Sequence, residues 1–187
     1  MYIAGLSELL LLSALLFSAK QGAQQKRHPL IYVALGITFG AAVMGLLRYL
    51  ELANTLEWHK ELSFAGKHFA MASFLIALLW QTLTPRALPY GLVGLALIFT
   101  VINYLTPIGI ISDAYIVILS LVLIFKVRQN MQALYMGIAG VILLLSTLVW
   151  GAIIQDESLR IGVFHLCLSS FYVLITLSSR HLNTKPI

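Results

Sequence analysis

Residues 48–68 read RYLELANTLEWHKELSFAGKH. The stretch leaves one long apolar segment through Arg48 and Glu51 and enters the next through Glu61, Lys67 and His68. Charge concentrated at a joint between two apolar runs reads as a polar turn between two membrane-crossing helices, with some charged groups carried into the spans. Working outward in both directions, the same alternation repeats to each end of the chain.

The composition sets the frame. Of 187 residues, 60% are hydrophobic and 10% charged, and mean hydropathy is +0.93. A soluble domain carries about 25% charged residues, so this chain cannot cover itself with polar surface and takes lipid as its solvent. The net charge of +5 would suggest nucleic acid in a soluble protein. Here the positions of the charges decide, and no nucleic-acid partner is expected. The single cysteine, Cys167, has no partner in the chain for a disulfide and reads as a small buried apolar residue.

A spanning helix needs about 20 apolar residues. Seven segments qualify, at about 2–19, 30–52, 61–83, 88–105, 113–126, 131–154 and 161–179. The first reads as a span rather than a signal peptide, because nothing basic precedes it and no small-x-small site follows. The fifth has a short core, extendable backward through residues 108–113. Pro85, Pro89 and Pro107 punctuate the turns. The expected fold is an all-α integral membrane protein: one domain over residues 1–187, a seven-transmembrane-helix bundle.

Orientation follows the lysine and arginine bias of the loops. Seven spans place Lys20, Lys26, Arg27, Arg86, Lys126, Arg128, Arg180 and Lys185 on one side with no acidic residue. Glu8, Glu51, Glu57, Glu61, Asp113, Asp156 and Glu157 fall on or toward the other. The expectation is N-terminus outside and C-terminus inside, in a bacterial inner (cytoplasmic) membrane with the basic loops cytoplasmic. A repeat is also visible. His68 precedes Ser73-Phe74, and His165 precedes Ser170-Phe171, at the same spacing. Ser13 and Ser120 give a fainter match. These suggest a 3+1+3 arrangement, with helices 1–3 and 5–7 as repeats and helix 4 as linker.

Charges inside hydrocarbon cost roughly 2.5–3.5 kcal/mol on insertion scales, so each needs a partner or a wet cavity. Glu8, Arg48, Asn103, His68, Asp113 and His165 project to one depth zone near the outer surface. Arg48 and Glu51 are spaced to pair on one helix, and Glu61 and His68 to share a face. His165, Ser169, Tyr172 and Thr176 form a polar stripe on the seventh helix. The expected site is an outward-facing polar pocket of Glu8, Arg48, Glu51, His68, Asn103, His165 and Ser169. Arg48 would bind an anionic group, and Glu8, His68 and His165 would carry protons or hydrogen bonds.

Blander roles apply elsewhere. Lys67 reads as a cation snorkelling to the headgroups. His59 reads as an interfacial loop residue, and His28 and His181 as part of the basic inner face. Gly36, Gly40, Gly45, Gly137 and Gly140 read as packing glycines. Trp58, Trp80 and Trp150 read as aromatic-belt residues.

Glu8 in the first helix, the Met44 to Arg48 turn in the second, His59 or Glu61 at the start of the third and His165 to Ser169 in the seventh carry a resemblance. In topology the chain resembles the CREST superfamily of seven-helix membrane proteins, which includes alkaline ceramidases and adiponectin-receptor-like proteins. The family pattern is an acid in helix 1, Ser-x-x-x-His in helix 2, Asp in helix 3 and His-x-x-x-His in helix 7. Its histidines hold zinc, which activates water against an amide bond. Here Glu8 fits the acid and His165 fits one histidine. Met44 and Arg48 stand at the serine and histidine positions of helix 2, and Ser169 at the second histidine of helix 7. The resemblance implies a metal-dependent amide or ester hydrolase acting on lipid. A zinc site would then have to be rebuilt from His68, His165 and Glu8 or Glu61. The residues by themselves imply no cofactor. They leave three readings: a pocket for a small ligand or protons, the divergent hydrolase, and a structural or assembly protein. Expected partners are the lipid bilayer and a small anionic or lipid ligand.

Overall fold

Each apolar run closes its backbone hydrogen bonds within its own helix, and the result is a bundle of helices. The computed structural model describes residues 2–48, 54–83, 85–106 and 110–183. Among the described residues there are seven helical rods and no strand: α1 (Tyr2–Gln24), α2 (Leu30–Leu47), α3 (Thr55–Thr82), α4 (Leu88–Leu105), α5 (Ile110–Val127), α6 (Met131–Ile153) and α7 (Glu157–Ser179). Among the described residues, six of them, α1–α5 and α7, are long and apolar enough to cross a bilayer, and α6 is apolar over Met131–Thr147.

The boundaries follow local chemistry. Asn130 and Asp156 cap α6 and α7, accepting from Ala133 N and Leu159 N at 2.9 and 2.7 Å. Asp156 thereby starts α7 a turn earlier than residue 161. Asp113 stands in the first turn of α5, favourable for the helix dipole, and α5 does extend backward to Ile110. α3 begins at Thr55 rather than 61, behind Asn54 in the left-handed region at φ 63°. α1 overruns residue 19 by more than a turn.

The rods form a closed ring in chain order, α1–α2–α3–α5–α6–α7, with α7 returning to α1. α4 lies outside the ring against α3 and α5. α3 is the most enclosed, and every residue from Met71 to Leu79 is buried. The outward faces are apolar on all seven helices, with Leu16, Val33, Leu56, Leu97, Leu121, Ile142 and Leu166 among the exposed side chains. Exposed apolar surface on this scale marks contact with lipid or protein, as in an integral membrane protein.

One feature of α3 breaks the expected register. Gly66–Ala70 is a π-helical turn inside the otherwise α-helical rod. The extra residue per turn rotates the upstream segment relative to His68. Glu61 and His68 therefore do not share a face: Glu61 is exposed and His68 buried. The seven-residue spacing assumed an unbroken helix.

The end where α1 meets α2 is closed by Arg27. α1 ends in a Schellman-type turn, with Arg27 N bonded to Gly22 O at 3.0 Å and Lys26 N to Ala23 O at 3.1 Å. Lys26 occupies the left-handed position at φ 51° where glycine is usual. The turn delivers Arg27 inward, 5% exposed. Its guanidinium donates to Leu78 O of α3 at 2.8 Å and Ser179 O of α7 at 2.6 Å, and to Gln25 Oε1. Burial lowers its pKa, while the carbonyls at two helix C-termini are the ends that favour a cation. Arg27 is thus a buried clamp and more than a topological charge.

Replacing Arg27 by Leu should cost about 3 kcal/mol, from two charge-assisted bonds at roughly 1.5 kcal/mol each. Arg27→Lys should fall between, because an ammonium lacks the fork that reaches both carbonyls. Chemical unfolding in mild detergent measures both; equal stability of Arg27→Leu and wild type would remove the clamp.

Candidate functional site

At one end of the ring a cavity of about 350 Å³ lies among the helices. All six ring helices line it and α4 does not. Its walls are mostly apolar, including Leu11, Met71, Ile116, Leu144, Leu168 and the ring of Tyr172. Its polar groups are Glu8 on α1, Thr38 on α2, His59, Ser63, Lys67 and His68 on α3, Asp113 on α5, Thr147 on α6 and His165 on α7.

Glu8 is the centre of one side. It is 0% exposed, and among the described residues neither carboxyl oxygen has a hydrogen-bond partner. Oε2 lies 3.7 Å from His165 Nδ1, an ion-pair distance too long for a hydrogen bond. His165 Nδ1 is 3.1 Å from Ser7 Oγ. The Ser7 hydroxyl donates to Ala4 O at 2.7 Å, so its oxygen is free to accept from Nδ1–H, which fixes the tautomer. Gly45 of α2 lies directly under the Glu8 carboxyl. A Cβ there would overlap Oε1, approach Cδ to 2.8 Å and His59 Cε1 to 2.9 Å.

The opposite side is built around His68, 6% exposed, in the π turn. Its Nδ1 hydrogen-bonds Ser112 Oγ of α5 and lies 3.4 Å from Asn103 Nδ2 of α4. Asn103 Nδ2 also donates to Ser112 Oγ at 2.7 Å, and its Oδ1 has no hydrogen-bond partner. Beside this cluster Lys67 Nζ pairs with Asp113 Oδ2 at 3.3 Å, both side chains partly exposed.

A second, outer cleft of about 610 Å³ adjoins the cavity. The two share His59, Ser63, Thr147, Phe164 and His165, which form the throat between them. Arg48, Lys60 and Arg160 rim the cleft, together with Glu157. Arg48 is near enough for its charge to act on Glu8, His59 and His165.

Most expected site residues converge here, in altered roles. Glu8, His68 and His165 face one cavity. Arg48 lies at the entrance cleft, outside the inner cavity. Asn103 supports His68 from behind. Ser169 gives its hydroxyl to His165 O at 2.6 Å within its own helix. Further along the expected stripe, Tyr172 OH meets Thr38 Oγ1 at 3.2 Å and Thr176 Oγ1 donates to Ser18 Oγ at 3.0 Å, so those groups join helices. Glu51 lies outside the described residues. Among those, no group of three His, Cys, Asp or Glu side chains is placed to hold a metal ion. His165 approaches Glu8, while His68 turns to Ser112 and Asn103.

His59 corrects a sequence reading. It belongs to α3 rather than to a loop, lines both cavities, and its Nδ1 is 2.8 Å from Ala41 O. Lys67 likewise lines the cavity in its pair with Asp113. The consecutive pairs Ser7-Glu8 and Ser112-Asp113 were the signal available in the sequence for the two sides.

In comparison with known proteins, no family model, no curated protein and no solved structure matches the chain.

Two glycine substitutions on α2 should diverge. A Cβ at Gly36 meets nothing within 4 Å, so Gly36→Ala should be neutral or stabilise by about 0.5–1 kcal/mol. Gly45→Ala must displace Glu8 and His59 and should destabilise by about 1–3 kcal/mol. Paired unfolding curves measure the contrast; equal effects would remove the close packing of Glu8 on Gly45.

Proposed function

We propose that the chain is a seven-span protein of a bacterial inner membrane, N-terminus outside, whose outward cavity binds or passes a small ligand or protons. The reading rests chiefly on Glu8. A buried carboxyl without hydrogen-bond partners is costly, and it is tolerated where a bound group can satisfy it. Three histidines reach the same cavity, and neutral or charged imidazoles can donate, accept or relay protons there. The rim of Arg48, Lys60 and Arg160 gathers anionic groups at the entrance. The loop-charge asymmetry supports an outward orientation for this end, and exposed Trp58, near the start of α3, and Trp150, near the end of α6, lie toward the same end of the bundle. The chain is read as non-enzymatic, with no resident cofactor.

Labelling tests the reading. A single cysteine replaces Ser63 or Thr147 in a Cys167→Ser background, in sealed vesicles of known orientation. A membrane-impermeant sulfonate thiol reagent added outside should modify it. Arg48→Gln should slow the sulfonate about tenfold and leave a cationic reagent unchanged or faster. Modification only from the inner side would overturn the orientation, and none from either side would overturn the open pocket. Elemental analysis of the same preparations separates the CREST-type hydrolase: stoichiometric zinc, lost in His165→Ala, would replace the present reading with that one.

A further inference from the structure

The polar groups of the cavity fall into two sets of one construction. Ser7 and Glu8 are consecutive on α1, and Ser7 meets His165 of α7. Ser112 and Asp113 are consecutive on α5, and Ser112 meets His68 of α3. In both sets the histidine uses Nδ1 and the serine Oγ. Each histidine also stands five residues before a Ser-Phe pair.

The helix order gives this match a reason. With α4 outside the ring, the remaining six rods divide into α1–α2–α3 and α5–α6–α7. Exchanging the two units exchanges the α7–α1 contact with the α3–α5 contact. The two His–Ser contacts sit at those two interfaces. A chance resemblance between apolar helices predicts similar strings; it does not predict that both serine–acid pairs meet the matching histidine across the matching interface.

We infer that the chain is a duplicated three-helix unit whose two matching sets are the two ends of one ligand site. The site takes a compact, net-neutral molecule with a hydrogen-bond-donating end for Glu8 and an anionic end for Lys67. The inference rests on the pocket reading above and narrows its ligand.

The two ends are not chemically identical, and the difference sets the polarity of the ligand. Glu8 offers two acceptor oxygens with no hydrogen-bond partner. Lys67 has three donor hydrogens and, among the described residues, one ion-pair contact, a 3.3 Å approach to Asp113, so it can take a second anion. Between the ends, Leu11, Met71, Ile116 and Leu168 present apolar walls suited to a methylene chain. The route in selects against net charge of either sign. Arg48, Lys60 and Arg160 disfavour a net cation at the entrance, and buried Glu8 disfavours a net anion beside it. Linear ω-amino acids are the simplest molecules that meet all these conditions.

The test uses the full chain in mild detergent and follows thermal unfolding with three probe series of matched length: ω-amino acids of three to six carbons, n-alkyl carboxylates and n-alkylamines. One ω-amino acid length should raise the unfolding midpoint by about 5 °C at saturation. Both one-ended series should do less. Glu8→Gln and Lys67→Met should each abolish the shift, and the second, at a partly exposed side chain, controls for misfolding of the first. Equal shifts from alkyl carboxylates, insensitive to Glu8→Gln, would overturn the two-ended site and leave the pocket reading standing. No shift with any probe would overturn the ligand class, while the labelling experiment decides separately whether the pocket is open.

Discussion

A carboxyl group sits inside an apolar helical bundle, and much of the surrounding architecture answers to it. Glu8 cannot reach the surface of the bundle from its position on α1, because its side chain is short and its exposure is nil. The neighbouring helices therefore give way or present polarity to it. α2 contributes a glycine at the point of contact, α3 contributes His59, and α7 contributes His165, held in orientation by Ser7. The six-helix ring leaves room for this near one end, where the cavity lies.

The other end is organised by the opposite charge. Arg27 enters from the α1–α2 turn and fastens the C-terminal carbonyls of α3 and α7, one rod from each proposed three-helix unit. The bundle thus has an end tied by a fully engaged cation and an end where a carboxyl remains unengaged. Hydrogen-bond satisfaction rigidifies the first, since removing the guanidinium would strand two carbonyls. The same accounting leaves the second end able to change its contacts when something binds.

The helices were legible because their signal is long and repeated: apolar runs near bilayer length punctuated by proline and charge. α4 was read at 88–105, with Pro89 suited to its first turn and Thr106 just past its end. A common depth zone for the polar groups was read from helical rise, and Glu8, His68 and His165 line one cavity. What periodicity could not show was rotation about each helix axis. A π turn leaves no apolar gap in the sequence, so Glu61 was given the face of His68, and His59 was left in a loop because the third segment was started at residue 61. Gly45 looked like any packing glycine because its partner, Glu8, is distant in sequence. Arg27 was read as a loop charge because a left-handed lysine, unlike glycine, carries no turn signature.

The π turn makes the cavity depend on residue count as well as on residue type. Between Gly66 and Ala70 the rod accommodates one more residue than an α-helix of that length. Were that residue lost, the rod would rewind, and everything upstream would swing by about 100°, one residue's rotation. His59 and Ser63 would leave the throat, and Leu62 would leave Gly40. Evolution along this helix is therefore constrained in a way no substitution scan reveals: side chains can drift one at a time, but a one-residue insertion or deletion here rebuilds the α3 side of the throat in a single step.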